Sequence, residues 1–340
     1  MNLVSAAWML MLGTMLSAPC RAWGPQGHQT VGAIADRLLV GTPTGKAVSK
    51  LLNGGKLQQA ALWPDCAKGV KQNKTGKFYF FVDSRYTECA LYENQAGKQA
   101  TVAFVKRNWD GCHPAADEEH CPNQYHYADV AVERDSYDRA DVGTSDHDIV
   151  SAINAAVAVL KGQAAPAPFS IASQREALRL LAHFVGDVHQ PLHVGAIYLR
   201  PSGAEVDPDH TTFEPATKTR GGNQLQIGPK DQLHGEWDAI PDAQKLPQFL
   251  SEGVAAATTV PATAGPIESW AAQWATESVV ASHAAFMGLG FAAEVDAGRP
   301  SQHWPTTEPA GYAATRAAIQ KQQLVKAGAR LAQLLNAIFP

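Results

Sequence analysis

The stretch that decides the fold is His183-Phe-Val-Gly-Asp-Val-His-Gln-Pro-Leu-His193. It closes a segment, residues 175–188, in which apolar side chains recur at helical spacing, and Pro191 ends that predicted helix. His183 and Asp187 are four residues apart, so they share one helix face and can share a metal ion. His193 follows the bend at Pro191 and can approach the same region from a new direction. The stretch therefore predicts a metal site at the end of a helix.

Two further stretches carry the same kind of side chain. His234-Gly-Glu-Trp-Asp238 repeats the four-residue spacing, and Trp23-Gly-Pro-Gln-Gly-His28 places a histidine near the start of the mature chain. An α-amine becomes a metal ligand once deprotonated, so a chain beginning at Trp23 could chelate an ion through its amine and carbonyl oxygen. Imidazole and carboxylate ligands without thiolate suit Zn²⁺ in a hydrolytic site. One His/Asp pair means little, but the set together is a strong signal.

Residues 1–22 have the pattern of a secretory signal peptide. Residues 3–18 are almost wholly apolar, and Cys20 and Ala22 put small residues where signal peptidase cleaves. The segment before the apolar run has no Lys or Arg, which is unusual for such a leader. A membrane anchor is the alternative, but the run is short for a bilayer span. We therefore expect a secreted or periplasmic protein that begins at Trp23.

The rest of the chain, residues 23–340, is predicted to be one mainly α domain carrying long loops. The full sequence is 45% hydrophobic, which is ample for a core, and its formal charge of −4 shows no overall basic surface. Helical periodicity predicts helices over 145–161, 175–188, 266–288 and 315–339, and short strands over 78–82 and 225–227. Residues 69–122, 200–220 and 254–265 are expected to be insertions, loops or a surface linker. We find no internal repeat and no later transmembrane span.

Four cysteines remain after the leader, and all lie within 56 residues: Cys66, Cys89, Cys112 and Cys121. An even number in an exported chain predicts two disulfides, with three pairings open. A zinc site built from the four thiolates is the alternative. The spacing contains no CxxC pair, so disulfides are favoured.

These stretches resemble the S1/P1 nuclease family, whose fold is shared with zinc-dependent phospholipase C. The resemblance runs from Trp23 to the C-terminal helix, with residues 69–122 as an insertion. It implies a helical phospholipase C/P1 nuclease-like domain that binds three zinc ions. By motif, the first ion would be held by Trp23, His28 and Asp187. The second would be held by Asp65, His126, His183 and Asp187, and the third by His193, His234 and Asp238.

The choice of His126 rests on two competing segments. Phe78-Tyr-Phe-Phe-Val-Asp83 follows Asp65 at about the family's usual distance, but it has Phe80 where the ligand would stand. Tyr125-His126-Tyr127-Ala128-Asp129 has the expected His-aromatic-x-Asp pattern. We therefore predict His126 as the ligand. His189 has no ligand role in the family pattern and is expected to support the site or the structure.

The resemblance also implies substrate contacts. Tyr127 matches an aromatic residue that stacks a nucleobase, and Asp129 matches one that binds base edges; core packing is the alternative for Tyr127. Lys68 stands where the family usually has Arg, so it would offer a point charge to phosphate rather than a bidentate fork. The expected catalytic residues are Asp65, Asp187 and Lys68.

The implied activity is hydrolysis of RNA and single-stranded DNA to 5′-phosphorylated products, with 3′-nucleotides as further substrates. No stable protein partner is implied. A phospholipase C-type enzyme is the nearest alternative, but Asp238 instead of Glu and the aromatic Tyr127 favour the nuclease. An exported zinc-binding protein without turnover is the second alternative.

Overall fold

A computed structural model describes residues 23–115, 118–296 and 302–340. The predicted signal peptide, residues 1–22, lies outside these ranges. The described chain is mainly α, as predicted. Its helices are α1 Pro25–Leu38, α2 Pro43–Leu51, α3 Leu57–Ala60, α4 Trp63–Ala67, α5 Gln95–Asn108, α6 Cys121–Gln124, α7 Ile149–Leu160, α8 Gln174–Asp187, α9 Leu233–Asp238, α10 Leu250–Ala257, α11 Trp270–Phe286 and α12 Tyr312–Ile338.

Local capping explains where the central helices begin. The side chain of Asp148 accepts a hydrogen bond from the backbone N–H of Ser151 at the start of α7. Ser173 does the same for Glu176 at the start of α8. Such caps satisfy N–H groups that a helix leaves without an internal partner. The predicted helix over 145–161 therefore starts four residues later than the apolar pattern alone suggested.

Helix α8 lies in the middle of the core. Its residues from Leu180 to Asp187 are all buried, and the core cluster that includes their apolar side chains also takes in side chains from α1, α7 and α12. α7 packs against α8, while α1 packs against α3 and α12. The polar residues at the end of α8 are consequently held inside the protein, away from bulk water.

The strands are short. They are β1 Val70–Gln72, β2 Phe78–Phe80, β3 Val130–Ala131, β4 Gly195–Ala196, β5 Leu225–Gln226, β6 Gly290–Phe291 and β7 Trp304–Thr307. β3 and β4 pair in parallel, with Val130 opposite Gly195. Just before this pair, the N–H of Ala128 donates to the carbonyl of His193 at 2.9 Å. The pairing thus joins the segment after His126 to the segment after His193.

Parts of the predicted organisation are wrong. Residues 69–122 were expected to form a loop or insertion apart from a strand over 78–82, which is present as β2, yet they also contain α5 and the strand β1 that pairs with β2. Residues 254–257, expected to begin a surface linker, complete α10. Five of the seven strands among the described residues were not predicted, because two to four residues carry too little alternation to recognise.

The four cysteines form two disulfides, Cys66–Cys89 and Cys112–Cys121. This fixes one of the three open pairings and excludes the zinc–thiolate alternative in the structure. No helix among the described residues is both long enough and apolar enough to cross a membrane.

Candidate metal centre

Asp187, the last residue of α8, lies between two sets of histidines. Its Oδ1 is 3.2 Å from Nε2 of His28 on α1. Its Oδ2 is 3.0 Å from Nδ1 of His126 and 3.1 Å from Nε2 of His183. One carboxylate oxygen therefore faces each side, which is the geometry a carboxylate needs to bridge two ions.

Asp65 completes this part of the site from α4. Its Oδ1 lies 3.8 Å from Nε2 of His183. Two groups that could hold a metal ion result, and they share His183. The first is His28, Asp65 and His183, and the second is His126, His183 and Asp187.

The orientation of His183 is set by the backbone. Its Nδ1 lies 2.6 Å from the carbonyl oxygen of Ala61, which can only accept a hydrogen bond. Nδ1 therefore carries the proton, and the lone pair of Nε2 points toward Asp187 and His126. A histidine that donates its other nitrogen to a carbonyl is typical of metal ligands, because this fixes the tautomer.

A third group is formed by His193, His234 and Asp238. His193 follows the bend after α8, and the other two lie one turn apart on α9. Nε2 of His234 is 3.0 Å from Nε2 of His193 and 3.5 Å from Oδ2 of Asp238. Nδ1 of His193 donates to the carbonyl of His126 at 2.8 Å, and Nδ1 of His234 donates to the carbonyl of Gly221 at 2.7 Å.

The side chains present fit metal ions. Both nitrogens of His28 and Oδ1 of Asp187 are buried and make no hydrogen bond within the described ranges. Buried polar atoms normally have partners, because leaving them without one costs free energy. Neutral imidazoles and carboxylates converging on common points form a donor set suited to Zn²⁺.

Burial keeps the imidazoles neutral. It lowers the pKa of His183 to about 4 and holds the pKa of His193 well below its usual value. Burial also raises the pKa of Asp187 to about 6 and that of Asp238 to about 7. At these four residues burial therefore disfavours the charged form, whichever its sign.

Lys68 forms an ion pair with one of the candidate ligands. Its Nζ lies 2.8 Å from Oδ1 of Asp65, and both side chains are largely buried. Burial opposes ionisation of Asp65, but the charge of Lys68 overrides it and holds the pKa of that carboxyl below its usual value.

Trp23 lies beside the segments that carry Asp187 and Asp238. Its indole is fully buried, and Nε1 donates to the carbonyl of Gly186 at 2.9 Å. The N–H of Gly24 donates to the carbonyl of Asp238 at 2.9 Å. A Cβ at Gly27 would meet the Trp23 side chain at 2.7 Å, so the Trp-Gly-Pro-Gln-Gly pattern reflects close packing. The start of α1 therefore lies beside two of the ligand segments.

The predicted substrate residues follow the candidate ligand His126 in the chain. Tyr127 is half-buried, directly after His126, and Asp129 is buried. Burial raises the pKa of the Asp129 carboxyl. Phe80, the competing candidate for the position of His126, lies in β2 and outside the three groups.

Supporting residues were missed by the sequence reasoning. Gln190 donates from Nε2 to Oδ1 of Asp238 at 2.8 Å, which orients that ligand. Gly221 has a φ of +56°, and a Cβ there would lie 2.2 Å from the carbonyl oxygen of Leu192. Only glycine fits such a position without strain, and its carbonyl orients His234.

His189 is not in any of the three groups. Its Nδ1 donates to the carbonyl of Val185 at 2.7 Å, and its Nε2 accepts from Nη1 of Arg330 at 3.0 Å. Both ring nitrogens are thereby used, so His189 links the end of α8 to α12.

The chain is similar to known nucleases. The sequence model described as S1/P1 Nuclease matches residues 23–111 and 105–340. Endonuclease 1 of Arabidopsis thaliana is 23% identical over 244 residues, which cover 69% of this chain. The match spans only 59% of the length of that relative. Since the family match extends from Trp23 to the last residue, the chain belongs to the S1/P1 nuclease family.

Proposed function

We propose that this protein is an exported, zinc-dependent phosphodiesterase that hydrolyses RNA and single-stranded DNA to 5′-phosphorylated products. It would also remove the phosphate of 3′-nucleotides. The observation that carries the proposal is the convergence of neutral imidazole lone pairs and carboxylates in three adjoining groups. Family membership and the similarity to a protein named an endonuclease support the choice of phosphodiester substrates.

Three zinc ions would occupy the site. Trp23, His28 and Asp187 would hold the first, and Asp65, His126, His183 and Asp187 the second. His193, His234 and Asp238 would hold the third. When bound, such ions activate water at neutral pH and stabilise charge on phosphate oxygens. Three divalent ions together with three carboxylates would give the site a net charge of about +3. This charge would attract phosphate although the whole chain is acidic.

The residues of the chain would position the substrate. Lys68 would bind a non-bridging phosphate oxygen, since its ammonium already lies at the edge of the ligand cluster. Tyr127 would stack on a base, and Asp129 would accept hydrogen bonds from base edges. Stacking requires an unpaired base, which explains a preference for single strands.

Export is supported by the two disulfides, which persist in oxidising compartments. Together with the predicted leader over residues 1–22, they favour a secreted or periplasmic protein.

A substrate panel tests the proposal. Purified protein is incubated with single-stranded DNA, RNA, duplex DNA, a 3′-nucleotide and phosphatidylcholine, each with and without chelator. We expect rapid chelator-sensitive cleavage of the single-stranded substrates and slow cleavage of the duplex. Hydrolysis of phosphatidylcholine alone would instead favour a phospholipase, and zinc binding without turnover of any substrate would favour a binding protein.

Two variants refine the test. Tyr127→Ala should weaken binding of single strands by about 1–3 kcal/mol while metal content is unchanged, and Tyr127→Phe should restore it. Lys68→Ala should reduce activity, whereas Lys68→Arg, which keeps the charge, should retain it.

A further inference from the structure

A strongly basic segment lies next to the metal centre in an acidic protein. Residues 66–82 contain four lysines and no Asp or Glu, although the chain as a whole has a formal net charge of −4. The segment contains β1, β2 and the turn between them. We call residues 68–82 the basic hairpin.

The pairing of the hairpin separates its side chains onto two faces. Lys71 is opposite Tyr79, so both project from the same face, and residues two positions away along each strand join them. Lys77 and Phe81 belong to this face by alternation, and Lys74 lies in the turn. Tyr79 is 42% exposed and Phe81 is 51% exposed. This outer face therefore presents two aromatic rings among lysines.

The inner face of the hairpin is the one that packs. Val70 is buried, and Phe78 contacts Trp109 of the segment after α5, edge to face, at 5.1 Å between ring centres. The inner residues therefore anchor the hairpin to the rest of the protein. Tyr79 and Phe81, by contrast, leave about half of their surface exposed and lie together on the outer face. Grouped exposed apolar side chains mark interaction sites.

The hairpin is also ordered. In the turn, Oδ1 of Asn73 accepts hydrogen bonds from the N–H groups of Thr75 and Lys77. At the base, the N–H of Phe81 donates to the carbonyl of Gly69 at 2.9 Å. An ordered surface loses less entropy on binding than a flexible loop.

The base of the hairpin is continuous with the metal centre. α4 carries Asp65, and Lys68 follows α4 directly, with its ammonium on the Asp65 carboxylate. Nζ of Lys71 donates to the carbonyl of Lys68 at 3.2 Å. The disulfide Cys66–Cys89 joins α4 to the chain beyond the hairpin. The hairpin is thus fixed to a helix that holds a candidate metal ligand.

We propose that the basic hairpin is a second binding surface for single-stranded nucleic acid, which holds nucleotides that flank the phosphate at the metal centre. This inference rests on the proposed function and extends it to the length of substrate that the protein binds. Tyr79 and Phe81 stack on unpaired bases, and Lys71, Lys74 and Lys77 contact backbone phosphates. Aromatic rings interleaved with cations are the usual means of binding single strands without sequence preference.

The test compares a long and a short ligand on the zinc-loaded protein. Binding of a fluorescent 12-nucleotide single strand with charged, hydrolysis-resistant linkages is measured by anisotropy. KM and kcat are measured for an ordinary 12-nucleotide strand and for a dinucleotide. We expect Tyr79→Ala/Phe81→Ala to weaken binding of the long strand at least fivefold and to raise its KM similarly, because each stacked base contributes about 5- to 150-fold. The kcat and the dinucleotide KM should not change.

A second variant tests the charges. Lys71→Gln/Lys74→Gln/Lys77→Gln should reduce the slope of log affinity against log salt by about 2, because each phosphate contact with a single strand contributes about 0.7. The control is Lys46→Gln/Lys50→Gln on α2, which removes two lysine charges and should leave the slope unchanged. α2 contacts α8 at Arg175, near the start of that helix, whereas Asp187 lies at its end, about 18 Å away along the helix. Met287→Ala, which removes an exposed apolar side chain elsewhere, controls for the aromatic variant.

Several outcomes would overturn the proposal. These are long-strand binding within twofold of wild type in the aromatic variant, an equal loss for the dinucleotide, or equal affinity of the wild type for single strand and duplex. Circular dichroism and zinc content verify that each variant is folded and loaded. If the wild type hydrolyses no nucleotide substrate, the proposed function fails, while the anisotropy comparison still decides whether the hairpin binds single strands.

Discussion

Nε2 of His193 lies 3.0 Å from Nε2 of His234, although neither nitrogen has a proton to offer the other. Nδ1 of His193 donates its proton to the carbonyl of His126, and Nδ1 of His234 donates its proton to the carbonyl of Gly221. Two lone pairs therefore face each other inside the protein. This arrangement is repulsive in the absence of a cation and favourable around one.

The first prediction concerns this pair. His234→Ala should lower the zinc content by about one ion per chain, because His193 and Asp238 alone provide too few ligands for tight binding. Elemental mass spectrometry of the purified protein measures the loss of zinc. His210→Ala, which changes an exposed histidine on a loop, is the control and should retain all the zinc. An unchanged zinc content in His234→Ala would reject the third site.

The second prediction concerns Asp187. Its two oxygens face different ligands, so Asp187→Asn should impair two ions and abolish activity, whereas Asp238→Asn should cost one ion. Asn has nearly the same size and removes only the charge. Zinc content and nuclease activity are measured on both variants. Equal zinc losses in the two would argue against a bridging role.

The third prediction concerns stability. Removal of metal should lower the melting temperature, because it leaves buried ligands such as His28 without partners. Zinc at about a thousand times its dissociation constant should contribute about 4 kcal/mol to the free energy of unfolding. Scanning calorimetry with chelator, and again after Zn²⁺ is restored, gives the difference. Ca²⁺, which prefers oxygen ligands, should not replace it; a melting temperature insensitive to chelator would contradict the site.

The fourth prediction separates structure from chemistry at His189. His189→Ala removes partners from Arg330 and from the carbonyl of Val185, both near the end of α8. We expect a loss of about 1–3 kcal/mol in the free energy of unfolding, measured with urea, and an unchanged zinc content in the folded protein. Loss of zinc without loss of stability would show that His189 acts as a ligand instead.

The fifth prediction concerns Trp23. If the leader is removed, adding one glycine before Trp23 converts its amine to an amide and should cost about one zinc ion and most of the activity. Sequencing the N-terminus of the exported protein and measuring zinc in the extended form tests this.

The side chain of Trp23 should act separately from its amine. Because the indole is fully buried and bonded to Gly186, Trp23→Ala should destabilise the fold by about 3–5 kcal/mol even when its terminus is free. An extended form with full activity and full zinc would exclude the amine as a ligand.

Much of the fold followed from the sequence because it is local. The helices α7, α8, α11 and α12 have apolar residues at a regular spacing, and that spacing requires no knowledge of distant residues. α5 was missed because it lies among loops, disulfides and a hairpin, which hide its periodicity. The short parallel pair β3–β4 was missed because its partners are 65 residues apart.

For the candidate site, the sequence by itself determined which side chains were available. The spacing of His183 and Asp187, or of His234 and Asp238, is a property of one helix. Only the tertiary structure decided which of these residues meet. It brought His126 rather than Phe80 to Asp187, selected the pairing of the four cysteines, and supplied the carbonyls of Ala61 and Gly221 that orient the imidazoles. Those contacts join residues that are distant along the chain, and a hydrogen bond depends on position in space, which helical spacing alone does not specify.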